Sequence, residues 1–243
     1  MARARLYAFE ASHPVQAARL MLTHKGIDFD LSRVIPGLHP GQLRAAGFSS
    51  GTVPAVKIEG HKVQGTLQLS RLLDEIVPER PLFPVDAGLR AEVEGAEAWG
   101  NDVLQPMPRR LFRWSMRHNN AATEWLIKND IGWMPAKRLN ATLFKPVAAA
   151  YARMEGATDD RIRQDLIEFD VALNQIEELL ERGVLGGPQR NAADFQIAPS
   201  IRVSLAAPVM AERIGDRPAA QWAREVLPDY PGEPIPLILP DDV

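Results

Sequence analysis

The chemistry open to this 243-residue chain is limited first by the residue types that it lacks. It contains no cysteine, so disulfides, thiolate nucleophiles and cysteine-ligated metals are excluded. The five histidines are scattered and show no metal-ligand spacing; they are His13, His24, His39, His61 and His118. We predict no metal site, and any sulfur chemistry must use sulfur that a ligand brings in.

A proline stands where a strand should begin, in the stretch TVPAV at Thr52–Val56. Val56 and Ile58 alternate with charged residues, which is the pattern of a half-buried strand. Pro54 has no N–H group and would leave a gap in a central ladder. Two interpretations are open: Pro54 is a trans proline at the first residue of an edge strand, or it forms part of a ligand-binding site.

Composition narrows the range of partners. The net charge is -3, so the chain has no general electrostatic attraction for nucleic acid or an anionic membrane. No apolar run approaches the roughly 18 to 20 residues of a membrane span. The first residues lack the apolar core of a signal peptide. We therefore expect a cytoplasmic protein without nucleic acid or membrane partners.

The elements that must position a site form two groups. Residues 1–77 predict an α/β unit of order β-α-β-α-β-β-α, in which the second helix is short. Its predicted elements are a strand at 6–9, a helix at 14–25, a strand at 27–32, a helix at 42–46, a hairpin at 56–64 and a helix at 69–76.

A stiff connector separates this unit from the rest. Pro78, Pro81 and Pro84 lie within seven residues, so we predict a linker at 78–88 between a first domain at 1–77 and an all-helical domain at 89–243.

The helical part carries several boundary signals. One long helix from Leu89 is predicted to be interrupted or kinked at Pro106 and Pro108, and Pro146 is predicted to open another helix. Asn191 precedes Asp194 by three residues, which indicates a capping box. Five prolines from position 228 onward predict an extended tail over the surface.

This organisation resembles the cytosolic glutathione S-transferase superfamily, and in particular its bacterial, serine-type members. The matching segments, in order, are ASHPVQAARLML, TVPAV, PLFPVDAGLRAEVEGAEAW and VLGGPQRNAADFQIA. The resemblance implies a thioredoxin-like α/β domain with a cis proline, followed by an all-α helical bundle. It covers about 1–118 and 158–230.

Glutathione would be the co-substrate implied by that resemblance. The proline of TVPAV would be cis, and the backbone of Val53 before Pro54 would pair with the cysteinyl part of glutathione. Gly65 and Thr66, at the start of a helix, would bind the γ-glutamyl carboxylate. Gly65 departs from the acidic residue or glutamine usual in the family, and Thr66 could equally be a plain N-cap.

The catalytic group implied by the same resemblance is Ser12, found by counting back from Arg19 to the family's serine position. A hydrogen bond to the ligand's sulfur would favour the thiolate. A helix N-cap is the alternative for Ser12. If the helix begins at Pro14, His13 is the cap and Ser12 is free for ligand.

Further contacts follow from the resemblance. His39 and Gln42 could reach the glycyl end of glutathione, or be solvated loop residues. A pocket for the second substrate is expected among Met107, Arg110, Phe112 and Trp114, which could instead be core.

The resemblance thus implies a homodimeric enzyme that conjugates glutathione to an apolar electrophile. The alternatives are a binding or scaffold protein without turnover, favoured by Gly65 and the shifted proline, and a transferase that uses another low-molecular-weight thiol. Residues 119–157, where specificity for the electrophile should lie, are the part that the sequence explains least.

Overall fold

Four strands and three helices build the first part of the chain. The computed structural model describes residues 3–130 and 137–241, with 137–143 described by backbone alone. The elements are β1 (Arg3–Ala8), α1 (His13–His24), β2 (Asp28–Arg33), α2 (His39–Ala45), β3 (Ala55–Ile58), β4 (His61–Gln64) and α3 (Thr66–Ile76). The predicted order is confirmed.

Strand β1 is central in the mixed sheet, whose order is β2-β1-β3-β4. It pairs parallel with β2, where Leu6 faces Leu31, and antiparallel with β3, where Leu6 faces Val56. Alternate residues of β1 are buried, as a strand with one face on the core requires. Because β1 is hydrogen-bonded to a strand on each side, the sheet fixes the position at which the following loop begins.

Helices make up the regular structure of the described residues after α3. They are α4 (Ala87–Trp99), α5 (Pro106–His118), α6 (Asn120–Asp130), α7 (Lys137–Met154), α8 (Asp159–Glu181), α9 (Ala192–Leu205), α10 (Pro208–Ile214) and α11 (Pro218–Val226). The prediction of a helical second part is confirmed, whereas the division at 77 and 88 stays a prediction. No helix within the described residues is both long and apolar enough to cross a membrane.

One of the two predicted helix boundaries was wrong. The predicted interruption at Pro106 is confirmed, since Pro106 opens α5 after a π-helical turn at Gly100–Leu104, whereas Pro108 lies inside α5. A side chain at position 100 would come within 2.7 Å of Ile197, so the turn allows a close approach to α9. Pro146 lies inside α7 instead of opening it, and the packing of α7 against α5 and α6 offsets the backbone hydrogen bond that proline cannot donate.

Helix α9 is the core element of the molecule, since all its residues are buried and it packs against α1, α4 and α11. The predicted capping box is confirmed. Asn191 Oδ1 accepts from Asp194 N at 3.2 Å, and Asp194 Oδ2 accepts from Asn191 N at 2.8 Å. Backbone N–H groups at the start of this fully buried helix thereby have hydrogen-bond partners without water.

The tail after α11 runs without helix or strand over both parts of the molecule, as predicted. Tyr230 is buried and its hydroxyl donates to the Ala11 carbonyl at 2.6 Å. Ile238 N and Ser115 Oγ are 3.2 Å apart at the far end of the tail. The tail therefore contacts the loop between β1 and α1, which carries Ser12.

Candidate functional site

A cleft of about 470 Å³ lies between the sheet unit and the helical part. The β1–α1 loop and the segment before β3 form one wall, and α5, α6 and α7 form the other. Its aromatic and apolar lining includes Phe9, Pro36, Val53, Phe112, Trp125 and Tyr151. A cavity of this size and polarity is suited to a small organic ligand.

Val53 lies at the cleft and precedes a cis peptide bond to Pro54, as expected. Among the described residues, neither the N–H nor the C=O group of Val53 has a backbone partner. Pro54 is buried and its carbonyl accepts from Gly65 N at 3.0 Å. The backbone of Val53 is therefore available to an extended ligand at the end of β3.

Ser12 also lines the cleft. Helix α1 begins at His13, one residue earlier than Pro14, so the condition for a His13 cap is not met and Ser12 occupies the N-cap position, as in the alternative above. Its side chain makes no capping hydrogen bond, however. The backbone fixes the residue, because Ser12 N donates to Phe9 O at 3.3 Å and Ser12 O accepts from Gln16 N at 3.0 Å. The hydroxyl is left free to bind a ligand.

The neighbour His13 is buried and neutral. Its Nε2 lies 3.2 Å from the Gln105 carbonyl, so Nε2 carries the proton and donates. Burial, with the charge of Arg109 as a smaller cause, lowers the pKa of His13 from 6.5 to about 3. His13 therefore adds no positive charge beside Ser12 near neutral pH.

Of the two residues expected at the glycyl end, the structure brings only His39 to the cleft lining. The His39 ring meets Phe9 edge to face at 4.9 Å, and its buried Nδ1 has no hydrogen-bond partner. Gln42 Oε1 accepts from Ile35 N at 2.8 Å and so holds the loop before α2. Gln42 is thus engaged in the fold.

Gly65 and Thr66 are not among the residues that line the cleft. Gly65 precedes α3 with φ at 82°, a conformation that glycine adopts without strain. Thr66 is 1% exposed, and its hydroxyl is buried without a partner. Because this hydroxyl is buried and lies outside the cleft lining, the anion site here stays a prediction.

Three residues expected in the second-substrate pocket lie on the opposite face of α5. Arg110 donates from Nε and Nη2 to the buried Asp165, each at 2.6 Å. Trp114 Nε1 donates to Asp159 at 2.8 Å, and Met107 is buried in the core. The structure therefore places these three against α8 and away from the cleft.

The cleft face of α5 is formed by Arg109, Phe112 and Arg113. Of the expected pocket residues, only Phe112 is on this face. At 100° per residue, positions i, i+3 and i+4 share one side of a helix. Residues 107, 111 and 114 form an apolar stripe on the other side of α5. This stripe could have shown from the sequence that Arg109, Phe112 and Arg113 face away from the core.

Asp130 is a cleft residue that sequence reasoning missed. It is buried at the end of α6, and its Oδ1 accepts from Glu10 N at 2.8 Å. Burial raises the pKa of Asp130 from 3.8 to about 6. No local signal marks this residue, because its partner is 120 positions away in the chain.

No group of three histidine and acidic side chains in 3–130 and 137–241 is placed to hold a metal ion. The polar groups that the structure brings to the cleft include instead the free hydroxyl of Ser12, two neutral imidazoles, two hydrogen-bonded carboxyls and two guanidinium groups.

Comparison with known proteins agrees with this arrangement. Residues 6–81 match the family model described as glutathione S-transferase, N-terminal domain. The chain has a glutathione S-transferase N-terminal domain. The rest of the chain completes the glutathione S-transferase fold, as the solved structures below indicate. No curated protein matches the chain.

Solved structures with this fold cover nearly the whole chain. A glutathione S-transferase from Rhodospirillum rubrum F11 has 20% identity and a TM-score of 0.61, over 92% of this chain and 87% of that one. The β-etherase LigF from Sphingobium sp. strain SYK-6 has 19% identity and a TM-score of 0.61, over 91% and 98%. FzlA from C. crescentus has 20% identity and a TM-score of 0.57, over 93% and 92%. At such identities the similarity shows the glutathione S-transferase fold alone.

Proposed function

We propose that this protein is a glutathione transferase of the serine type, which conjugates the glutathione thiolate to an apolar electrophile. The observation that carries the proposal is that the N–H and C=O groups of Val53, at the cleft, have no backbone partner in the part of the chain that the structure describes. The cleft is also lined by Ser12, whose hydroxyl makes no capping hydrogen bond. Val53 would pair with the cysteinyl residue of glutathione by adding one strand residue. This brings the thiol towards Ser12.

Ser12 supplies the chemistry in this proposal. A free thiol has a pKa of roughly 8.5, so it is mostly protonated at neutral pH. The Ser12 hydroxyl donates a hydrogen bond to the charged sulfur, which is worth about 1.5–3 kcal/mol and lowers the thiol pKa by roughly one to two units. The thiolate then attacks an electrophile held nearby, with proximity providing much of the remaining acceleration.

The second substrate lies against the aromatic wall of the helical part. Phe112 and Trp125 contact each other edge to face, with ring centres 5.7 Å apart, and both line the cleft. His39 lies at the opposite rim, where it could meet the glycyl end of glutathione. Both substrates would thereby be held in one largely apolar space.

The test combines retention on immobilised glutathione with conjugation of an aryl halide. We expect the protein to be retained, to elute with free glutathione and to form the aryl thioether at a rate proportional to enzyme. Retention without turnover would contradict the transferase and support a binding protein.

Two alternatives share the cleft but change its use. The buried hydroxyl of Thr66 and the missing side chain at Gly65 weaken the expected γ-glutamyl contacts. This favours a non-catalytic binding protein, or a transferase for another low-molecular-weight thiol. Selective thermal stabilisation by a thiol other than glutathione would favour the latter.

Assembly and location belong to the same proposal. We expect a homodimer in the cytoplasm that acts in detoxification and requires no metal. Sedimentation velocity of the purified protein measures the mass directly, and a monomer at micromolar concentration would contradict the dimer.

A further inference from the structure

Two arginines one turn apart on α5, Arg109 and Arg113, face Glu155, which directly follows α7, and Tyr151 in the last turn of α7. Arg109 Nε donates to Glu155 Oε2 at 2.8 Å, so this first pair is electrically neutral. The guanidinium carbon of Arg113 lies 4.5 Å from the centre of the Tyr151 ring. Because Tyr151 takes the place of an acid, the second pair keeps a net positive charge.

The charge of Arg113 has no anionic partner within the described residues. Its Nε is buried without a hydrogen-bond acceptor, and Nη1 reaches only the sulfur of Met116 at 4.0 Å. Burial lowers the pKa of Arg113, but a guanidinium stays protonated at neutral pH. Glu155 and Asp130 act on it only without direct contact. A partly buried cation of this kind is stabilised by an incoming anion.

The other ionisable groups of the cleft do not offer a competing positive site. Burial lowers the pKa of both His13 and His39, so the imidazoles are neutral near pH 7. Arg109 is already neutralised by Glu155, and the carboxyl of Asp130 is directed at the Glu10 N–H group. Arg113 is therefore the cation of the described lining that remains open to an anion.

An aromatic surface adjoins this cation. Phe112 is the neighbour of Arg113 on α5, and its ring contacts that of Trp125 from α6. These two rings and Tyr151 line the same cleft as Arg113. The combination of ring faces with one guanidinium is suited to a flat apolar body that carries a carboxylate.

We propose that the second substrate is an aromatic carboxylate, whose ring lies against Phe112 and Trp125 and whose carboxylate pairs with Arg113. This names the substrate class of the proposed transferase and rests on that function. A guanidinium can bind a carboxylate through two parallel hydrogen bonds, which fixes the orientation of the ring as well as its charge. Arg113 is thus a specificity-determining residue.

The test measures binding without glutathione, so that it does not depend on turnover. Isothermal titration calorimetry compares para-nitrobenzoate with its neutral methyl ester. We expect the wild-type protein to bind the acid about ten- to a hundredfold more tightly, from the strength of a charged hydrogen-bonded pair. Arg113→Met should abolish this preference, whereas Arg117→Met, an exposed arginine on the same helix, should retain it.

Equal affinity of the wild-type protein for acid and ester would overturn the proposal, and so would a preference that survives in Arg113→Met. The wild-type comparison needs no variant and stays decisive if Arg113→Met fails to fold. Conjugation of a chloronitrobenzoate and of its methyl ester separates the two proposals. Turnover without preference for the acid contradicts the carboxylate site alone, whereas tight binding of the acid without turnover contradicts the transferase alone.

Discussion

At the scale of single residues, two buried ionisable groups flank Ser12 and respond to pH in opposite directions. His13 has its pKa lowered to about 3, so the folded state loses stability as the pH falls from about 6.5 towards 3. Asp130 has its pKa raised from 3.8 to about 6, so the folded state holds a proton that the unfolded chain releases. Its contribution to stability therefore decreases as the pH rises from about 4 to 6.

Asp130→Asn should remove the pH-dependent contribution of Asp130 to the free energy of unfolding. Above pH 6 we expect the variant to be more stable than the wild type by up to about 3 kcal/mol, because it no longer buries a charge. The difference should shrink as the pH falls towards 4, where the wild-type carboxyl is protonated. Urea unfolding at several pH values measures it, with exposed Asp229→Asn as the control. A difference that is the same at pH 4 and pH 8 would contradict this account.

At the scale of elements, sequence patterns correctly predicted those strands and helix starts that depend on residues close together in the chain. Val56 and Ile58 alternate with charged residues, and the hairpin of β3 and β4 forms where they indicate. Asn191 and Asp194 are three residues apart and form the predicted box. The phase of α5 was misjudged, because Arg110 and Trp114 are placed by partners on α8, which are 55 and 45 positions further along the chain.

The start of α9 yields the prediction at this scale. Asn191→Ala removes the acceptor for two backbone N–H groups at the head of a fully buried helix. We expect a loss of about 1–2 kcal/mol in the free energy of unfolding. Asp86→Ala, which removes the cap of the more exposed α4, should cost less. Equal losses in urea unfolding would show that the burial of α9 does not add to the value of its cap.

At the scale of the whole molecule, the site depends on contacts that a sequence does not display. The loop that carries Ser12 is held by Asp130 from α6 and by Tyr230 from the tail, which bond Glu10 and Ala11. These partners are 120 and 219 positions apart from the loop. Motif spacing could therefore indicate Ser12, Val53 and Pro54, but it could not indicate what fixes them or which cation faces them.

The central claim is that Ser12 holds the sulfur of glutathione as a thiolate within this cleft. Ultraviolet absorbance of the bound thiolate, followed against pH, measures the thiol pKa directly in the wild type and in Ser12→Ala. Ser49→Ala, an exposed serine outside the cleft lining, is the matched control. We predict a bound thiol pKa roughly one to two units below the free value of about 8.5 in the wild type and in Ser49→Ala, and a return towards the free value in Ser12→Ala. The same thiol pKa in all three proteins would contradict the account.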